Sequence, residues 1–151
     1  MSLTRTRIAD VADRLFGAIE RGDLDALTAM WSDDVVVWRQ GGGRERDKTR
    51  ARSVIAWFVD ATTDRRYEVL DREFFDTGFV QQHILHATGT DGAVIAMRVC
   101  IVIQLAANGL ISRIDEYFDP REIEPLLKEQ DRMAVIVEPT RKSRDVRVSM
   151  K

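Results

Sequence analysis

The chain has 151 residues, 44% hydrophobic and 32% charged, with three prolines and one cysteine. That is the size of one ordinary domain with a substantial core, and it excludes disordered, collagenous and membrane-spanning classes. The formal net charge of −2 is uneven: five bases against Asp145 put +4 between Pro139 and Lys151 and leave −6 elsewhere, so no global nucleic-acid footprint exists. A single cysteine makes no internal disulfide, and no signal peptide opens the chain, so a reducing cytoplasm is the expected compartment.

In chain order, Ile8, Val11, Ala12, Leu15, Phe16 and Ile19 recur at helical spacing and predict an amphipathic helix. Thr4 or Thr6 caps its start and Gly22 ends it. Asp23 caps a second, shorter helix carrying Ala26, Leu27, Met30 and Trp31, with Ser32-Asp33-Asp34 as its end. Val35–Trp38 is β-branched and aromatic, hence a strand. Gly41-Gly42-Gly43 opens a loop, since no phosphate-binding GxxxxGK pattern accompanies it. A third helix runs from about Lys48 to Thr62. The period then changes to two. Four strands follow, at about Tyr67–Asp76, Phe79–Thr88, Ala93–Ala106 and Leu110–Asp119. Gly78, Asp91-Gly92 and Asn108-Gly109 separate them, the last two being hairpin signals. Asp119-Pro120 starts a closing turn, with a short helix expected to about Gln130. Residues 1–132 form the domain, and 133–151 an extension with a basic, solvated tail. Three helices before an antiparallel meander make an α+β pattern, with a hollow between helices and sheet.

Alternation on the last two strands places side chains relative to that hollow. Met97, Val99, Ile101 and Ile103 share one face, and Arg98, Arg113 and Asp115 mark the outside. Glu116 then falls inward between Ile114 and Phe118. Burial works against the charged form of such an acid, which would suit it to general acid-base chemistry. A salt bridge to an arginine is its plainer structural role. The strand holding His83 and His86 has two equally apolar faces, so its inward set is open. The two histidines have opposite parity and cannot both enter, and Cys100 lies outward, so no metal site is expected. Trp31, Trp38 and Trp57 with Phe16, Phe58 and Phe118 give the hollow an aromatic lining or simply a core. Val37-Arg39 and Val36-Trp38 are alternative inward pairs. No GxSxG, P-loop or GxGxxG motif occurs.

Two stretches carry a resemblance. Glu20-Arg21-Gly22-Asp23-Leu24-Asp25-Ala26-Leu27 with Trp31-Ser32-Asp33-Asp34-Val35-Val36, and later Asn108–Pro120 around Asp115-Glu116-Tyr117-Phe118-Asp119, resemble the SnoaL-like branch of nuclear-transport-factor-2-like proteins. That branch includes polyketide cyclases, ketosteroid isomerase and limonene epoxide hydrolase relatives. The resemblance spans about Ile8 to Lys128. It implies a cone-shaped α+β barrel, three N-terminal helices on a curled, mostly antiparallel sheet. It also implies a homodimer and an apolar pocket without cofactor or metal.

Glu116 stands where limonene epoxide hydrolase has an aspartate. That enzyme's arginine and second aspartate fall at about Gln82 and Ile84, and its water-holding tyrosine and asparagine near Val36 to Arg39, with neither type present. Ketosteroid isomerase pairs a carboxylate base with a tyrosine, but the first helix here offers Phe16, and the base position falls near Trp38 or Arg39. With the resemblance, His86 is taken as inward. The expected site is therefore Glu116 as acid/base with His86 or Gln82 polarising a substrate oxygen. Phe16, Trp31, Trp38, Arg39, Trp57, Met97, Val99 and Phe118 would shape a pocket for a small apolar molecule. The competing expectation is a binding or assembly module without turnover, which a Glu116–Arg39 salt bridge would favour. No nucleic-acid or membrane partner is expected.

Overall fold

A computed structural model describes residues 3–127. The extension from residue 133, its basic tail and the last residues of the expected closing helix lie outside that range.

Helix α1 spans Arg5–Arg21 and buries the face carrying Ile8, Val11, Leu15, Phe16 and Ile19. Thr4 caps it by accepting from the Arg7 backbone N–H, and Gly22 ends it in the left-handed conformation (φ 71°), which costs a residue without Cβ nothing. Helix α2 (Leu24–Ala29) is capped by Asp23. Strand β1 (Trp31–Arg39) begins at once, so Ser32–Asp34 belong to the strand and do not end the helix as expected. The cause is backbone pairing: the Ile111 N–H donates to the Met30 carbonyl at 2.8 Å, and Ser32 Oγ donates to the Ile111 carbonyl at 3.1 Å. The glycine loop leads into an unexpected two-residue strand, β2 (Glu45–Arg46), paired with β1. Helix α3 follows at Lys48–Ala61 with Asp47 as its cap.

The meander comprises β3 (Thr62–Phe75), β4 (Gly78–Gly89), β5 (Val94–Leu105) and β6 (Ile111–Phe118). A 3₁₀ helix capped by Asp119 closes it at Pro120–Leu126 and continues through Pro125. The sheet order is β2-β1-β6-β5-β4-β3, with β1 parallel to β6 and every other pair antiparallel. The six strands curl without closing, and the helices cover the concave side, with α1 on β3 and β4 and α3 on β1 and β3. This is the α+β cone that the pattern implied.

Arg65 on β3 ties the helices to the sheet. Its guanidinium donates to the carbonyls of Ile19, Val59 and Thr62 at 2.9, 3.3 and 3.1 Å. The Ile19 and Val59 carbonyls lie in the last turns of α1 and α3, where they also accept from the Gly22 and Thr62 backbone N–H groups, and a cation there suits the helix dipole.

Candidate functional site

Strand parity decides which side chains enter the cone. On β5, Ile95, Met97, Val99, Ile101 and Ile103 are all buried, as the alternation predicts. On β1 the inward set is Val35, Val37 and Arg39. Trp38 therefore leaves the expected pocket and packs against Tyr117, ring centroids 5.0 Å apart and planes tilted by 53°. On β4 the buried residues are Phe79, Gln81, His83, Leu85 and Ala87. His86 and Gln82 therefore do not enter the cavity, because β4 turns their parity to its other face. His86 sits on the other face, its side chain 32% exposed and 3.3 Å from Glu68, and Gln82 is exposed. Their neighbours His83 and Gln81 take the inward places, at 2% and 0% exposure.

The cavity between helices and sheet encloses about 70 Å³, well below the ~300–1,000 Å³ of sites for drug-sized ligands. Phe16, Trp31, Arg39, Trp57, Met97 and Glu116 line it. Phe118 does not: with Gly41, Gly42 and Pro120 it borders a separate small hollow. Val99 is buried on the same face as Met97 and Ile101 but does not line the cavity, and it pairs with both His83 and Phe118. Tyr67, His83 and Arg46 are lining residues that sequence reasoning missed. Tyr67 had one weak signal, a strand aromatic at even spacing from Arg65 and Val69, but nothing chose its face. Among the described residues, the buried indole N–H groups of Trp31 and Trp57 have no acceptor.

The polar groups fall into two sets. On the β1–β6 side, Glu116 Oε2 accepts from Arg39 Nε at 3.1 Å, with side chains 17% and 13% exposed. The Arg39 guanidinium also lies over the Phe118 ring, 5.0 Å from its centroid, so the arginine is held between a carboxylate and an aromatic face. On the β3–β4 side, the His83 and Tyr67 rings meet edge to face at 4.9 Å, and Phe16 packs against both. Burial pushes the His83 imidazole down to about 4, with Glu116 opposing the shift and Arg72 adding to it. The ring is neutral at pH 7. Burial, followed by the Glu116 charge, holds the Tyr67 phenol well above its ordinary range, so it remains a neutral hydroxyl. The cavity thus offers a carboxylate beside its arginine and, across from them, neutral groups able to hydrogen-bond an oxygen.

Among the described residues, no three His, Cys, Asp or Glu side chains gather closely enough to hold a metal ion. No helix among them is long and apolar enough to cross a membrane.

The model of the SnoaL-like domain matches residues 12–114. Solved structures share the fold at low identity. PrhC from Penicillium brasilianum superposes with a TM-score of 0.72 at 15% identity, covering 82% of this chain and 87% of its own. An LEH-like epoxide hydrolase from M. tuberculosis gives 0.66 at 18%, covering 86% and 96%. SalBIII, an epoxide hydrolase/cyclase-like enzyme in pyran ring formation in the polyether salinomycin, gives 0.68 at 14%, covering 78% and 94%. At these identities the likeness carries the fold alone. No curated protein matches the chain in sequence.

Proposed function

The chain belongs to the SnoaL-like domain family, and from that premise and its cavity we propose an enzyme of cofactor-independent proton transfer. Its substrate would be a compact, apolar, ring-containing molecule bearing at least one oxygen, and the reaction an isomerisation, cyclisation or hydration. The observation that carries this reading is a carboxylate, Glu116, and a neutral imidazole, His83, lining one apolar cavity. In an isomerisation, Glu116 takes a proton from a carbon beside a carbonyl. The C–H electron pair moves into a new C=C bond and the carbonyl oxygen becomes an enolate oxygen. An N–H of the neutral His83 ring hydrogen-bonds that oxygen, a preorganised donor of the kind that stabilises developing charge. Where the substrate carries a β,γ C=C bond, the protonated Glu116 then returns its proton to the γ-carbon, the dienolate re-forms the carbonyl, and the double bond ends between the α- and β-carbons. In this reading the histidine is His83, which lines the cavity, and not His86, which sits beside Glu68 on the other face.

The Arg39–Glu116 ion pair favours a second reading, a ligand-binding module without turnover. Small cyclic ketones incubated with the protein in D2O separate the two. Deuterium incorporation read by mass spectrometry, falling at least ~100-fold in Glu116→Gln, supports the enzyme. Equal incorporation by variant and wild type removes Glu116 from the mechanism. Ligand-induced thermal stabilisation with no exchange in the wild type leaves the binding module. We further propose that a second copy covers the outer sheet face, where Tyr117 is 47% exposed. Light scattering that finds Tyr117→Glu monomeric and the wild type dimeric supports this, and a monomeric wild type removes it.

A further inference from the structure

Three polar residues that touch no part of the cavity lead to His83. Asp13 on α1 accepts from Arg72 Nη1 at 2.8 Å. Arg72 Nε donates to Gln81 Oε1 at 2.7 Å. Gln81 Nε2 lies 2.9 Å from His83 Nδ1. A guanidinium has donors only, so Gln81 must turn its oxygen toward Arg72. Its NH2 group then faces His83, and that group can only donate. Nδ1 is left as the acceptor, which in a neutral imidazole puts the proton on Nε2.

We propose that Asp13, Arg72 and Gln81 are positioning residues that lock His83 as its neutral Nε2–H tautomer, leaving a single N–H donor for a carbonyl, ether or hydroxyl oxygen of the ligand. Protonating Nδ1 would set one N–H against another and break the Gln81 bond. The charged and titratable groups around the ring agree with that state. Glu116 from β6 favours the imidazolium, but burial and Arg72 from β3 outweigh it, and Tyr67 from β3 stays neutral. Arg72 reaches Gln81 because the two are directly paired across β3 and β4, and Asp13 holds the far side of its guanidinium from α1. The proposal deepens the enzymatic reading by assigning His83 its proton, and it rests on that reading only for its use of the donor.

The chain contains two histidines, so the tautomer can be read directly. Long-range 1H–15N correlation spectra of histidine-labelled protein report which ring nitrogen carries hydrogen, and His86→Asn assigns the signals. The expected wild-type spectrum shows His83 as Nε2–H, unchanged from pH 8 to pH 5. In Arg72→Met the amide is free to turn, and a mixture of both tautomers is expected. In Gln81→Glu the carboxylate accepts from Nδ1–H, so the Nδ1-protonated or doubly protonated ring is expected at pH 7. A wild-type His83 found as Nδ1–H, as a mixture or as imidazolium at pH 7 would overturn the lock. An Arg72→Met spectrum identical to wild type would remove Arg72 and Asp13 from it. These spectra need no ligand, so a failure to find turnover leaves them unaffected, and a failed lock leaves the Glu116 exchange experiment standing.

Discussion

The two walls of the cavity manage buried polarity by opposite means. On the β1–β6 wall the charges themselves come inside, and Glu116 is matched there by Arg39. On the β3–β4 wall one charge stays at the rim, Asp13 at 71% exposure, while its partner Arg72 at 18% reaches in to a neutral amide and a neutral imidazole. An inward ion pair is costly to break, because either partner alone is an uncompensated charge. A rim charge joined to neutral groups is cheaper to break, since water takes over the exposed partner. One wall can therefore donate or accept a proton, and the other presents a donor of fixed direction.

The largest expected effect tests how the second wall is built. Strand β3 pairs Val69 with His83 and Asp71 with Gln82, so Leu70 is an extra residue, a β-bulge. Before it, Arg65 and Tyr67 lie on the concave face, and after it Arg72 does. Deleting Leu70 would only restore a regular ladder with Arg72 still opposite Gln81, whereas inserting one alanine after Leu70, with the bulge kept, sets Arg72 opposite Val80 and turns it and Phe74 to the other face. For the insertion a loss of about 3 kcal/mol or more in urea unfolding is expected, with loss of the Nε2–H signature of His83. Retention of both would show that the register beyond the bulge does not set the wall.

Next in size is Arg39→Met, which removes the cation bonded to Glu116 and is expected to cost about 3 kcal/mol. The double variant Arg39→Met/Glu116→Leu should recover much of that loss, and strict additivity in the cycle would show that the pair is not coupled.

His83 gives a pH-dependent difference. Its pKa of about 4 when folded lies below the ~6.5 of an unfolded histidine. The unfolded chain therefore binds a proton between those values that the folded chain refuses. This contribution is complete above pH 6.5 and is lost as the pH falls toward 4. Between pH 7 and 4.5 the wild type should lose about 2 kcal/mol more than His83→Gln, by denaturant unfolding at each pH. Parallel losses would mean that the ring is not held neutral.

The smallest effect is expected at His86, on the convex face. His86→Asn should change stability by less than ~0.5 kcal/mol and leave deuterium exchange as in wild type. A loss of exchange in this variant would return His86 to the site.

Much of this molecule follows from local chemistry. Thr4, Asp23, Asp47 and Asp119 cap their helices, Gly92 and Gly109 take the positive φ their turns require, and β5 and β6 alternate so cleanly that Glu116 can be placed inward from sequence. Those features depend on contacts within a few residues or on one buried face against one wet face. The register of β1 and β4 is different. In β4, Phe79, Gln81, His83 and Leu85 are no more apolar than Val80, Gln82, Ile84 and His86, and in β1 Trp38 competes with Arg39. Only pairing with β3, β5 and β6 selects a face there, because a strand with two similar faces gains little from either choice alone. The bulge at Leu70 and the Asp13–Arg72–Gln81–His83 chain depend on residues up to 70 positions apart. Sequence alone therefore determined a SnoaL-like α+β cone with an inward glutamate. Tertiary pairing decided which histidine faces the cavity, and that Glu116 meets Arg39 there.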